Sequence, residues 1–187
     1  MSEGYWTSRI TNINQYLLSE SNLYMGKTPF FEDPAWPKIR YFCAYRERCH
    51  SEVRDKLYSL GLRKNNVETL ITRLIEEDIL NEQRFADAFA GGHFRQKNWG
   101  KEKIRYALKL KKISEPVIKK ALSGISGPDY ATSLQKLAAA RWAALKGEHY
   151  LTRQAKTSTY LLQKGYERDA VQKMVAALRA GKENISK

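Results

Sequence analysis

The stretch Val67-Glu68-Thr69-Leu70-Ile71-Thr72-Arg73-Leu74 places apolar side chains at i, i+3, i+4 and i+7, the spacing that lines one face of an α-helix. The same arrangement returns at Ile118, Ala121, Leu122 and Ile125 and again at Val171, Met174, Val175 and Leu178, at offsets of 51 and 53 residues. A helix upstream of each keeps those offsets, with Val53 and Leu57, Ile104 and Leu108, and Thr157 and Leu161. Two of these upstream helices end in Gly61-Leu62 and Gly165-Tyr166, a pattern that predicts a left-handed glycine cap whose following side chain folds back on the last turn. Lys112-Ile113 stands at that place in the middle unit without the glycine. Each unit opens with a further helix, expected at about 36 to 48 after Pro34 and Pro37, about 82 to 96 after Asn81, and about 129 to 146 after Gly127-Pro128-Asp129.

The expected fold is therefore all-α: an elongated, curved array of three tandem three-helix repeats, spanning 34–80, 81–126 and 127–181. A period of 51 to 53 residues fits neither tetratricopeptide repeats nor HEAT or armadillo units. Residues 1–33 stand outside the repeat as a leader, linker or short helix, with Ile10, Ile13, Leu17 and Leu18 able to line one helical face. Residues 182–187 form a tail.

With 187 residues, 42% hydrophobic and 28% charged, the chain can bury a core without disulfides or metal. Its two cysteines, Cys43 and Cys49, lie six apart in what reads as one helix, on different faces, which matches no disulfide or zinc framework. A reducing compartment is the simpler expectation. The start at Met1 shows no basic segment followed by an apolar run, and no apolar stretch approaches membrane-spanning length. The expected location is cytoplasmic.

The net charge of +13 is unevenly spread: residues 1–33 hold two basic and four acidic side chains, so the remainder carries +15. From Arg95 to Lys112 there are eight basic residues and one acid, Glu102. At about 100° per residue, Lys101, Arg105, Lys109 and Lys112 fall within one arc beside the apolar face of Ile104, Ala107 and Leu108. Such a stripe suits DNA phosphates or an acidic protein patch. Arg95, Lys97, Lys101, Arg105, Lys109 and Lys112 are the candidate binding cations, and Tyr106 is the aromatic that points away from the core and can stack. Trp99 is expected to pack at a helix junction, Phe94 to extend the core stripe of Phe85 and Phe89, and Lys111 to lay its stem along the apolar face without an assigned contact. The acids Glu76-Glu77-Asp78 end a helix against its dipole; a solvated turn near Arg73 is preferred there over contact with a basic partner.

The run Leu80-Asn81-Glu82-Gln83-Arg84-Phe85-Ala86-Asp87-Ala88-Phe89, followed by Trp99-Gly100, Ile104-Arg105, Leu108 and Lys111-Lys112-Ile113, resembles the central motif of RecX regulatory proteins. Tyr45 to Leu57 with Gly61 is similar to the first RecX repeat, and Tyr160-Leu161-Leu162-Gln163-Lys164-Gly165-Tyr166 resembles part of the third. The resemblance covers about residues 36 to 180 and implies tandem three-helix repeats. It further implies a modulator, usually an inhibitor, of RecA that binds the groove of the RecA filament on single-stranded DNA and suppresses ATP hydrolysis, strand exchange and the coprotease activity behind the SOS response.

No chemistry-bearing constellation accompanies this. Gly26-Lys27-Thr28 lacks the earlier glycine of a phosphate-binding loop, where Ser21 stands. His50, His93 and His149 are too far apart to share a metal at helical spacing, and His50 fits a helix start. No Gly-x-Ser-x-Gly, His-Glu-x-x-His or paired-carboxylate arrangement occurs. The expectation is a non-enzymatic monomer without cofactor or metal, whose partners are a RecA filament on single-stranded DNA and DNA phosphates. The other reading is a helical nucleic-acid-binding module that acts without RecA.

Overall fold

The computed structural model describes residues 33–183, with side chains described to Ala180. The expected helix around Ile10 to Leu18, the Gly26-Lys27-Thr28 match and most of the expected tail lie outside these residues. The described residues form nine helices and no strand: α1 (Trp36–Tyr45), α2 (His50–Ser59), α3 (Lys64–Glu76), α4 (Glu82–Lys97), α5 (Lys101–Leu110), α6 (Glu115–Ser123), α7 (Gly127–Ala144), α8 (Tyr150–Lys164) and α9 (Arg168–Glu183). They form three successive triplets.

Prolines sit in the first turns of α1, α6 and α7, where no intrahelical partner is lost. Asn81 caps α4 by accepting from the backbone N–H of Gln83 and Arg84 at 3.0 and 3.1 Å. The two expected glycine caps are present: Gly61 has φ +87° and Gly165 φ +90°, and Leu62 and Tyr166 donate back to Leu57 and Leu161. Lys112 adopts the same conformation without being glycine, at φ +63°, and Ile113 donates to Leu108 at 3.2 Å. The backbone repeats even where the sequence marker is lost.

Each triplet carries its own apolar cluster. Ile39, Val53, Leu57, Val67 and Leu74 anchor the first, Ala86, Ile104, Leu108 and Ile118 the second, and Leu134, Ala138, Leu161, Tyr166 and Val171 the third. Burying a side chain such as Leu57 or Leu108 contributes roughly 1.5–3 kcal/mol, so these faces hold each triplet together. The first helix ends earlier than expected, at Tyr45 and not about 48, because Arg46 is extended at φ −159° and Cys49, also extended, starts α2. Cys43 and Cys49 therefore do not share one helix: Cys43 is in the first cluster, while Cys49 reaches into the second. Both are free and buried, and burial pushes the Cys43 thiol up to about 11.

The two junctions between triplets differ in chemistry. Between the first and second, Ser51 Oγ donates to the Lys111 carbonyl at 2.9 Å, Lys111 Nζ meets Glu52 at 2.5 Å, Arg84 meets Glu47 at 3.2 Å, and His50 Nδ1 lies 3.3 Å from Glu82. Lys111, which the sequence left without a contact, is thus a junction residue. Between the second and third, backbone meets backbone. Gly100 N–H donates to the Lys164 carbonyl at 2.8 Å and Glu102 N–H to that of Gly165 at 3.0 Å.

Candidate nucleic-acid and partner interface

The basic segment begins where α4 stops. Asn98 turns the chain in the left-handed conformation, φ +52°, and Gly100 precedes α5 with no side chain to cap it. The donors at the start of α5, orphaned in any helix, are taken by the third triplet: the Lys164 and Gly165 carbonyls as above, and the Tyr130 hydroxyl, which accepts from Lys101 N–H at 3.0 Å. That hydroxyl donates in turn to Glu167 at 2.6 Å, and its ring packs between Phe94 and Tyr166. Burial, then the bond to Glu167, drive the Tyr130 pKa far above the ordinary tyrosine value. The third triplet therefore sets the direction of the basic helix. Periodicity found α5 but gave no sign of Tyr130, Gly165 or Glu167, since each acts across some thirty or more residues of sequence.

Ile104 and Leu108 are buried, as the arc reading requires. Lys101, Arg105 and Lys109 sit four apart along α5 and share a side of it. Lys112 does not continue that arc, because α5 ends at Leu110 and Lys112 has turned to φ +63°. It stays exposed, beyond the helix end.

The stripe is not of one sign in three dimensions. Arg105 Nη1 pairs with Glu102 at 2.6 Å, Arg105 Nε lies 3.4 Å from Glu115, and Lys109 Nζ meets Glu115 at 3.0 Å. Glu115 belongs to the first turn of α6, where an acid also suits the helix dipole. Linear sequence placed it outside the basic run, so the neutralisation was missed. Among the described residues no carboxylate pairs with Arg95, Lys97, Lys101 or Lys112.

Two of these cations, Lys97 and Lys101, stand beside aromatic rings, as does Lys103. Lys97 and Lys103 place their ammonium groups 5.4 and 4.8 Å from the Trp99 ring centre, and Lys101 lies 5.0 Å from that of Tyr130, within cation–π range. Trp99 is partly buried against the middle cluster and beside His93, a junction residue as expected. Phe94 is buried with Phe85, and Phe89 packs against them. Tyr106 is 64% exposed, and the Arg95 guanidinium lies over Gly91. Lys97, Lys101 and Lys103 thus cluster at the α4–α5 turn, with Arg95 just before it on α4. Tyr106 and Lys112 extend the surface along and past α5.

The acidic run at the end of α3 is held locally: Arg73 pairs with Glu77 at 2.8 Å and Arg84 with Asp78 at 2.7 Å. Among the described residues, no group of three or more His, Cys, Asp or Glu could hold a metal ion, and no helix is long and apolar enough to cross a membrane.

Residues 81–122 match the family model described as RecX, second three-helix domain. The chain is similar to the regulatory protein RecX of Chlorobium phaeobacteroides strain BS1, with 30% identity over 128 residues, 67% of this chain and 81% of that protein. It is also 31% identical over 134 residues to the regulatory protein RecX of Clostridium perfringens strain 13, covering 70% of this chain. The chain spans 62% of the length of that Clostridium relative. In fold it is similar to the crystal structure of RecX from Lactobacillus salivarius, with a TM-score of 0.72 and 23% identity over 78% of this chain and 95% of that one. A 30% match over 81% of one relative, together with a middle triplet that fits the family's own second domain, means that this chain belongs to the RecX family of regulatory proteins.

Proposed function

We propose that the chain is a non-enzymatic, monomeric, cytoplasmic regulator that binds RecA filaments on single-stranded DNA and inhibits them, with residues 34–80, 81–126 and 127–181 acting as its three repeats. The observation that carries this reading is the set of cations without carboxylate partners among the described residues, Arg95 and Lys97 at the end of α4, Lys101 at the start of α5 and Lys112 just past its end, on a middle triplet that also exposes Tyr106. Charges already paired have little left to offer a phosphate, whereas unpaired ones release counterions on binding. Arg105 and Lys109 join the surface only by exchanging Glu102 and Glu115 for the ligand.

The test is a RecA ATPase titration on single-stranded DNA, run beside co-sedimentation with the filament. Wild type should inhibit at low stoichiometry, and Lys97→Glu with Lys101→Glu should weaken both inhibition and co-sedimentation. Undiminished filament binding by that variant across a salt series would sink the assignment. Sequence-selective binding to naked DNA with no effect on RecA would favour a helical DNA-binding module instead.

A further inference from the structure

The first triplet carries exposed aromatic and basic groups on α1. Lys38, Tyr41 and Tyr45 lie at i, i+3 and i+7 on α1 and so share a face. Tyr41 is 73% and Tyr45 69% exposed. They border a cleft of about 350 Å³, at the small end of ligand sites, whose wall includes Phe42 and the cations Lys38, Arg48 and Lys56. Arg48 stacks its guanidinium carbon 3.9 Å from the Phe42 ring centre, and the Lys56 ammonium stands 6.0 Å from it.

Among the described residues no carboxylate lines this cleft. Glu52 pairs through one oxygen with Lys111 at 2.5 Å and through the other with Arg48 at 3.8 Å, and Glu47 pairs with Arg84 at 3.2 Å, so Lys38 and Lys56 are the cations of the cleft without a carboxylate partner among the described residues. Burial above all, and then the neighbouring Arg46 charge, lower the pKa of Arg48 against the pull of Glu52. The tyrosines are also not demanded by the repeat. When the opening helices are aligned on their buried pairs Ile39/Cys43, Ala86/Ala90 and Leu134/Ala138, the positions of Tyr41 and Tyr45 hold Ala88 and Gly92 in α4 and Lys136 and Ala140 in α7. Packing of the unit is therefore satisfied without aromatic rings there.

We infer that this cleft is a base-stacking site for an unpaired nucleic-acid strand, with Tyr41 and Tyr45 receiving bases and Lys38 and Lys56 receiving the adjoining phosphates. Exposed rings beside cations are the combination that single-strand binders use, and stacking is indifferent to base identity. A duplex keeps its bases stacked on one another and offers the rings nothing, so the cleft selects unpaired strands. The site lies on a different triplet from the cationic turn of α4 and α5, and it requires neither that turn nor RecA.

The experiment is fluorescence anisotropy of the full chain with a labelled oligothymidylate and with an abasic strand of equal length, which keeps the phosphates and lacks the bases. Wild type should prefer the base-bearing strand by about tenfold, the scale of one to two stacked bases. Tyr41→Ala with Tyr45→Ala should erase that preference, while Tyr41→Phe with Tyr45→Phe should keep it; both pairs are exposed, and matched thermal unfolding checks the fold. Lys97→Glu with Lys101→Glu should lower affinity for both strands and leave their ratio intact, which separates this site from the proposed filament surface. Equal wild-type affinity for the two strands, or a ratio that survives the alanine pair, would overturn the inference. Full displacement of the strand by a Glu-rich, tyrosine-containing peptide, lost in the alanine pair, would assign the cleft to a protein segment and overturn it as well.

Discussion

Gly100 lies so tightly against Gly165 that a Cβ on Gly100 would collide with the Gly165 carbonyl, and a Cβ on Gly165 would collide with Lys103. Gly165 has a second constraint, its φ of +90°, whereas Gly61, at φ +87°, has nothing within 4 Å of a built Cβ. Gly61→Ala should therefore cost only the left-handed conformation, about 1–2 kcal/mol. Gly165→Ala adds an overpacking cost of about 1–3 kcal/mol, and Gly100→Ala should incur the overpacking alone. Urea unfolding of the three variants checks the ranking, and equal losses at Gly61 and Gly165 would contradict the close approach.

The glycines also mark how far the sequence reached. Gly165-Tyr166 was legible as a helix cap because a cap is a local event, fixed by one glycine and the apolar residue after it. Its contact with Gly100 was not, because nothing within a few residues of either encodes a partner some sixty-five positions away. The same holds at the basic surface. The run of cations around α5 was legible as composition, and the side shared by Lys101, Arg105 and Lys109 followed from helical geometry. Glu115 comes from the next helix and engages two of those three cations; only the α5–α6 turn brings it there. Lys112 left the arc for the opposite reason, since its left-handed turn lacks the glycine that announces such turns elsewhere.

Thr157 is fully buried and its hydroxyl has no partner, yet its counterparts in the repeat are Val53 and Ile104, both apolar and fully buried. A buried hydroxyl without a hydrogen bond costs about 1–3 kcal/mol. Thr157→Val keeps the shape and removes that cost, so it should raise stability by about 1 kcal/mol. Thermal unfolding measures it; a destabilised valine variant would mean that the hydroxyl is satisfied in solution, for example by a water.

Tyr130 links α5 to the third triplet through its hydroxyl, and its pKa is raised first by burial and then by Glu167. A raised folded-state pKa stabilises the protein fully below the unfolded tyrosine value, about 10, and that contribution is lost as pH climbs from there toward the folded value. Stability should thus fall above about pH 10, and less steeply in Tyr130→Phe. At neutral pH the phenylalanine variant should lose about 1–3 kcal/mol, because Glu167 and Lys101 N–H each lose a bond. Urea midpoints of both proteins across the alkaline range provide the comparison, and parallel slopes would exclude Tyr130 as the titrating group.

Glu115 engages both Arg105 and Lys109. Exposed ion pairs contribute little to stability, so Glu115→Gln should change it by about 1 kcal/mol or less. Binding should respond more: Lys109 becomes available while Arg105 keeps only Glu102, and affinity for a polyanion should rise several-fold with a steeper salt dependence. Anisotropy titrations at several salt concentrations read both quantities. Unchanged binding would confine the contact surface to Lys97, Lys101 and their neighbours.

The two junctions should also part under salt. The first and second triplets are joined largely by charge, through Glu47–Arg84, Glu52–Lys111 and His50–Glu82, with Ser51 Oγ on the Lys111 carbonyl as a neutral bond. The second and third are joined by Gly100 N–H on Lys164, Glu102 N–H on Gly165 and Lys101 N–H on the Tyr130 hydroxyl, with the Lys103 and Lys164 ammonium groups on the Gln163 and Lys97 carbonyls, so no pair of opposite charges joins them among the described residues. Salt screens partly exposed charge pairs over about a Debye length and leaves backbone bonds almost untouched. Raising ionic strength should therefore speed hydrogen exchange in α2 and at Lys111 to Ile113 while protection at Gly100 and Glu102 holds. Residue-resolved exchange at low and high salt distinguishes the two. If both junctions loosened together, the charge pairs would not be what joins the first triplet to the second, and Ser51 with the Cys49 contact would have to account for that junction instead.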